Sequence, residues 1–155
     1  MTDLSDLLTP ASVVTGEAVA GKKALFQQIA ALAVARLGVD PVEVVERLGE
    51  RERLGSTGFG GGIALPHAKM AGLSEVAAFF IQLPQGIEFQ AIDHLPVDLV
   101  FALLSPPDAG ADHLKALARV SRRMRERTFV AKLRGAGSAD ALYALLAGVE
   151  ARDAA

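Results

Sequence analysis

The sequence predicts one domain in which helices pack on a mixed β-sheet, an α/β or α+β arrangement with both faces of the sheet covered. Three observations carry this expectation. The chain has 155 residues, 51% of them hydrophobic and 22% charged, enough to bury one sizeable core. Its helical segments place apolar residues three and four apart. Its strand-length segments are apolar nearly throughout instead of alternating, as in strands buried on both faces.

The elements follow in order. In "KALFQQIAALAVARL" (23–37), Phe26, Ile29, Ala30, Ala33 and Leu37 share one face of a helix that Gly38 stops. "DPVEVVERLGERE" predicts a second helix with Asp40 as N-cap, Pro41 in the first turn and Val42, Val45 and Leu48 on its apolar side. "IAL" (63–65) is a short strand, and Pro66 holds Leu65 extended. "EVAAFFIQL" (75–83) and "VDLVFALL" (97–104) are buried strands, with "GIEF" (86–89) a short strand between them. "SPPDAGAD" (105–112) is a turn-rich loop ending at an Asp112 N-cap. The next helix has Leu114, Leu117, Ala118, Ser121 and Met124 on its inner face. A last helix spans about 140–146 through Leu142, Leu145 and Leu146. No repeat or low-complexity linker divides the chain.

Composition narrows the function classes. A net charge of −2 and 5% aromatic residues argue against a nucleic-acid partner. The longest apolar runs, such as 76–81, are too short to cross a bilayer, and the acidic N-terminus is no signal peptide. With no cysteine there is neither a disulfide framework nor thiolate chemistry. A cytoplasmic protein is expected.

The chemistry concentrates in "RERLGSTGFGGGIALPHAK" (51–69). Gly55, Gly58, Gly60, Gly61 and Gly62 crowd together with Ser56 and Thr57. Such a loop can aim backbone N–H groups at an anion, with the two hydroxyls as further donors. It equally suits a mobile link between helix and strand. It is not a P-loop, since neither the lysine nor the magnesium-holding hydroxyl follows the last glycine. His67 sits at a strand's C-terminal end, where α/β sheets place ligands, and a neutral imidazole is a nucleophile. His113 lies in the first turn of a helix, whose N–H groups favour anions. If the strands preceding the two histidines run parallel, both rings emerge at one edge of the sheet. Arg51 can offset the charge of a phosphoryl group in transit; read alone, it is a solvated helix end. His94 and Asp93 fall in a turn. Three histidines and Asp93 could form a zinc site, but no metal-ligand spacing joins them. The basic run "RRMRER" (122–127) complements a helix C-terminus.

The 51–69 segment, its spacing to "VFALLSP" and then "ADHLKALARVSRRM" closely resemble the mannitol/fructose-class enzyme IIA domains of the bacterial phosphoenolpyruvate-dependent phosphotransferase system, in particular the nitrogen-related branch. The resemblance covers nearly the whole chain. It implies a single α/β domain over 1–155, with helices on both faces of a mixed sheet. It further implies a phosphohistidine relay needing no cofactor or metal, in which His67 is charged by a small histidine phosphocarrier protein. By the same resemblance Arg51 stabilises the phosphoryl group and His113 is the second active-site histidine. Ser56, Thr57, Gly58, Gly60 and Gly61 are the phosphoryl-binding candidates. His94 departs from the pattern, which usually has a smaller residue after the aspartate. The sequence carries no second, IIB or IIC domain, so a freestanding regulatory relay is expected, acting on targets such as sensor kinases or transporters. The alternative is a sugar-specific IIA component that passes the phosphoryl group to a IIB domain.

Overall fold

Strands Val13–Thr15 (β1), Gly58–Gly60 (β2), Ile63–Ala64 (β3), His67–Lys69 (β4), Ala77–Ile87 (β5) and Val97–Ser105 (β6) form one sheet in the computed structural model, which describes residues 4–148. The order is β1–β5–β6–β3–β2, with β4 also beside β6. β5 and β6 are antiparallel, as are β2 and β3, whereas β1 runs parallel to β5 and both β3 and β4 run parallel to β6. The expected mixed sheet is therefore present. β3 and β4 run beside β6 as one strand interrupted at Leu65–Pro66, with β2 outside β3.

Five helices cover the two faces: Lys22–Leu37 (α1), Pro41–Arg53 (α2), Ala111–Arg123 (α3), Arg127–Gly135 (α4) and Ala139–Leu146 (α5). Side chains alternate along a strand, so β5 sends Phe79 and Ile81 to one core with Phe26 and Ile29 of α1 and Val44 and Leu48 of α2. Phe80 joins Phe101 and Leu103 in the other, beneath Val120 of α3, Leu133 of α4 and Leu142 and Leu146 of α5. Two apolar cores on one sheet explain why neither central strand alternates in sequence. Arg36 ties the N-terminal segment to the sheet by donating from Nη1 to the carbonyls of Leu7 and Ala78 and to Ser12 Oγ.

Several boundaries differ from the sequence expectation. α1 ends as expected at Gly38, which takes a left-handed φ of 69°, and Asp40 caps α2 by accepting from the Val42 N–H. The buried side of α2, however, is Val44 and Leu48, with Val42 63% exposed. α3 begins two residues earlier than an Asp112 cap requires, with Gly110 at the N-cap. That rotates its buried stripe onto His113, Ala116 and Val120 and leaves Leu114 65% exposed. "GIEF" is not a separate strand: β5 continues to Ile87, and its pairing shifts between Gln82 and Ile87. Pro84 sits in that irregularity, where a missing N–H is tolerated. α4 was not expected, because the basic run was read as a helix end; the chain instead turns at Met124–Glu126 and restarts.

The glycine cluster turns out to be a hairpin. β2 and β3 pair Gly60 with Ile63, leaving Gly61 and Gly62 as the two turn residues. Their φ angles are 69° and 82°, and positive φ at both central positions is what a tight two-residue hairpin demands. Asp93 Oδ2 accepts from the Gly61 N–H at 2.9 Å, and Arg134 donates to the Gly61 carbonyl at 2.7 Å while bound to Asp98. A Cβ on Gly62 would lie 2.5 Å from Arg134 Nη2 and 2.9 Å from Asp98 Oδ1. Gly62→Ala is therefore expected to cost more stability than Gly72→Ala. Gly72 has a comparable φ of 89° but open space around it. The backbone cost alone is about 1–2 kcal/mol. Urea denaturation of the two variants measures the difference, and equal losses would remove the arginine clamp from the account.

Candidate functional site

The path of the interrupted β3–β4 strand sets His67. Leu65 lies beyond the β3 ladder, so its carbonyl is not used by the sheet, and His67 Nδ1 is 2.8 Å from it. A carbonyl only accepts, so Nδ1 carries the proton and Nε2 keeps its lone pair. β4 places His67 level with Leu103 and Lys69 level with Ser105. Alternation sends Ala68 into the α1/α2 core and turns His67 and Lys69 the other way.

His113 arrives from the first turn of α3, and its Nδ1 hydrogen-bonds the hydroxyl of Ser105, the last residue of β6. Ser105 is fully buried and His113 nearly so. The two rings meet with centroids 5.5 Å apart and planes tilted by 49°. The parallel pairing of β4 with β6 thus brings both histidines to one edge of the sheet.

Arg51, in the last turn of α2, shares this pocket of ≈ 450 Å³ with Arg47, His67, Lys69 and His113. One arm of its guanidinium donates to the Gly55 carbonyl at 2.8 Å. No carboxylate pairs with it among the described residues. Arg47 differs, since Glu50 lies 2.7 Å away and Glu43 3.8 Å. Neighbouring Glu52 is turned inward, pairing with Lys22 at 3.0 Å and accepting from the Thr57 N–H and hydroxyl.

Sequence reasoning missed Arg47, Lys69 and Ser105. The signal for the first two was spacing: Arg47 is four residues before Arg51 on one helix, and Lys69 two residues after His67 on one strand. Ser105 was assigned to a loop, and nothing local marks it. The loop donors lie elsewhere than around the histidines. Ser56 Oγ donates to the Phe89 carbonyl and accepts from the Gly58 N–H, and Thr57 is held by Glu52. Gly60 and Gly61 line a different depression. Asp93 caps the hairpin and the turn at Leu95 instead of orienting an imidazole, and His94 takes a φ of 63° in that turn. Among the described residues no three His, Cys, Asp or Glu side chains gather as a metal site.

Burial favours the neutral form of both rings. Burial is the largest cause pulling the His67 pKa below its ordinary value; the Leu65 hydrogen bond opposes it, the Arg51 charge adds to it, and Glu52 opposes. His113 is likewise lowered, first by burial, then by His67 and Lys69. An unfolded histidine takes up its proton near pH 6.5. Below that pH the unfolded chain binds more protons, so folded stability falls as pH drops from about 6.5 toward the folded-state pKa values. Above that window these rings add no pH dependence. We expect the His67 ring resonances to titrate with a midpoint below 6.5 in NMR. A midpoint at or above the free value would contradict the desolvated site.

An imidazole anchored through Nδ1, a second imidazole beside it and a guanidinium with no carboxylate partner among the described residues suit the transfer of an anionic group. The comparisons agree. Residues 6–149 match the family described as phosphoenolpyruvate-dependent sugar phosphotransferase system, EIIA 2. A nitrogen regulatory protein of Bradyrhizobium diazoefficiens is 42% identical over 144 residues, covering 93% of this chain and 94% of that protein. A fructose-specific EIIA component of Haloferax volcanii is 34% identical over 151 residues, covering 96% and 97%. The crystal structure of the nitrogen regulatory protein IIA-Ntr from Neisseria meningitidis superposes with a TM-score of 0.87 at 32% identity, covering 92% of this chain and 98% of that one. The chain belongs to the EIIA type 2 family of the phosphoenolpyruvate-dependent phosphotransferase system, in its nitrogen-regulatory branch.

Proposed function

We propose that the relay runs through Nε2 of His67, charged by a histidine phosphocarrier protein, with Arg51 and His113 completing the site. The observation that carries this reading is the anchored His67 ring, Nδ1 held at 2.8 Å from the Leu65 carbonyl and Nε2 with no hydrogen-bond partner among the described residues. In transfer the Nε2 lone pair forms the new N–P bond as the donor's N–P bond breaks, and the donor imidazole leaves with that electron pair. His67 then carries substituents on both nitrogens and positive charge in its ring. The Leu65 carbonyl, facing the Nδ1–H, stabilises that charge. Arg51 neutralises phosphoryl oxygens with its unused N–H groups, and His113, its Nδ1 engaged by Ser105, offers Nε2 toward the same space.

Ser56, Thr57, Gly58, Gly60 and Gly61 enter as positioning residues. The loop carbonyl at Gly55 holds Arg51, the Thr57 carbonyl receives the Leu65 N–H at 3.0 Å, and the glycines close the hairpin behind it. Direct contact of either hydroxyl with the phosphoryl group requires it to leave its present partner.

Residues 1–155 act as one domain of this type in the cytoplasm; among the described residues no helix is long and apolar enough to cross a membrane. The output is regulatory: a dianion added beside Arg47 and Lys69 changes the charge of a surface that targets such as sensor kinases or transporters read, in nitrogen, potassium or carbon metabolism. The likeness to the fructose-specific component supports a second reading, delivery to a IIB domain for sugar uptake. Incubation with phosphoenolpyruvate, enzyme I and the phosphocarrier is expected to add one acid-labile phosphoryl group by intact mass. No incorporation overturns the relay, and rapid discharge onto a fructose-type IIB domain favours the second reading.

A further inference from the structure

A depression of ≈ 720 Å³ lies on the face of the molecule formed by the Gly60–Gly62 turn, the end of α3 and the start of α4. It shares no residue with the histidine pocket. Along α3, at about 1.5 Å per residue, Met124 lies roughly 16 Å from His113. Its floor is apolar, built on Phe59, Met124 and Val130, and its rim carries Arg125, Arg127 and Arg134.

The three guanidiniums differ in their partners. Arg134 is neutralised by Asp98 at 2.8 Å. Arg125 stacks over the Phe59 ring at 5.1 Å and has no ion pair among the described residues. The side chain of Arg127 has neither a hydrogen bond nor an ion pair among the described residues, and Arg127 is the first residue of α4. A cation there faces the positive end of the helix dipole, which does not favour it. The N-cap Glu126 gives α4 no side-chain cap, and its carboxylate is turned to Arg123. Two unopposed arginines and an uncapped helix start therefore face one apolar hollow in a chain whose net charge is −2.

We propose that this hollow is a second binding site, taking a small organic anion with an apolar body and a carboxylate or phosphate head. Guanidinium forks match both head groups bidentately, and the aromatic stack holds Arg125 in place for the purpose. An inorganic anion leaves the Phe59–Val130 floor wet, and a neutral apolar molecule leaves the arginines unopposed. The volume falls in the range of small-ligand sites.

The test is an NMR titration of the full-length unphosphorylated chain with octanoate and, separately, octyl phosphate, with 1-octanol and inorganic phosphate as controls. Saturable shifts are expected at residues 59–63 and 124–130 with the two amphiphilic anions only, and the tighter of the two identifies the head group. The double variant Arg125→Glu, Arg127→Glu should weaken binding by about tenfold or more and still accept a phosphoryl group, which shows that it is folded. Absence of saturable shifts, equal binding of 1-octanol, or binding that survives the charge reversal overturns the proposal. So does a synthetic acidic peptide with one central leucine that binds tighter than either amphiphile, because the face is then a protein dock. None of these outcomes depends on whether His67 is the phosphorylated residue.

Discussion

His67→Ala is expected to abolish phosphoryl acceptance, leaving no mass increase after incubation with the full donor system. The expectation is absolute because no other side chain in the pocket replaces it. His113 is nearly buried and its Nδ1 is tied to Ser105, with its ring centroid 5.5 Å from that of His67. Arg47, Arg51 and Lys69 are cations without a nucleophilic lone pair at neutral pH. The fold should survive: the variant loses a partly exposed ring and one hydrogen bond to Leu65, a net loss of about 1 kcal/mol. A urea midpoint close to wild type, measured beside the mass spectrum, separates lost chemistry from lost structure. Stoichiometric labelling of this variant would remove His67 from the relay.

Arg51→Ala is expected to slow phosphoryl acceptance by about 10²–10³-fold, the usual scale for losing one preorganised donor to a developing anion. The argument rests on which cation in the pocket is available. Arg47 is already paired to Glu50 and Glu43, whereas Arg51 spends one N–H on the Gly55 carbonyl and faces no carboxylate among the described residues. A rapid-quench time course reads the rate. A second readout distinguishes positioning from bulk charge: Arg51 is one of the groups lowering the His67 pKa, so its removal should move the ring's titration midpoint upward. Arg51→Lys should restore that midpoint but recover only part of the rate, because an ammonium lacks the planar fork. A rate unchanged by Arg51→Ala would place the stabilising charge elsewhere.

The sequence was most informative where local chemistry and tertiary structure agree. Asp40 followed by Pro41, and Gly38 after an amphipathic run, mark helix ends through backbone geometry alone, and both are found in place. The apolar runs marked β5 and β6 as strands buried on both faces because two cores do lie against them. α3 shows the opposite case. Leu114 is expected on the core face of the helix, yet the helix turns His113 inward and Leu114 out. A buried hydrogen bond to Ser105 and an N-cap at Gly110 decide the rotation, and neither is visible in a hydropathy pattern.

The glycine segment is instructive in the same way. Its composition suggested a nest of N–H donors for an anion. In the structure Gly61 and Gly62 make a two-residue hairpin, and the Gly61 N–H is taken by Asp93, more than thirty residues further on. Composition reveals that a backbone must take unusual angles; only the distant partners, here Asp93 and Arg134, show which turn needs them. The histidine pair was legible as a conditional. It required the strands preceding the two histidines, β3 and β6, to run parallel, and strand direction is set by the whole topology.

The most direct test of the account is the position of the phosphoryl group on the imidazole. NMR of the phosphorylated chain, with ring-nitrogen labelling of histidine, distinguishes phosphorus on Nε2 from phosphorus on Nδ1 and assigns the residue. The geometry predicts a single phosphohistidine at His67, on Nε2, with Nδ1 still protonated against the Leu65 carbonyl. Phosphorus on Nδ1, or on His113 or His94, would contradict it.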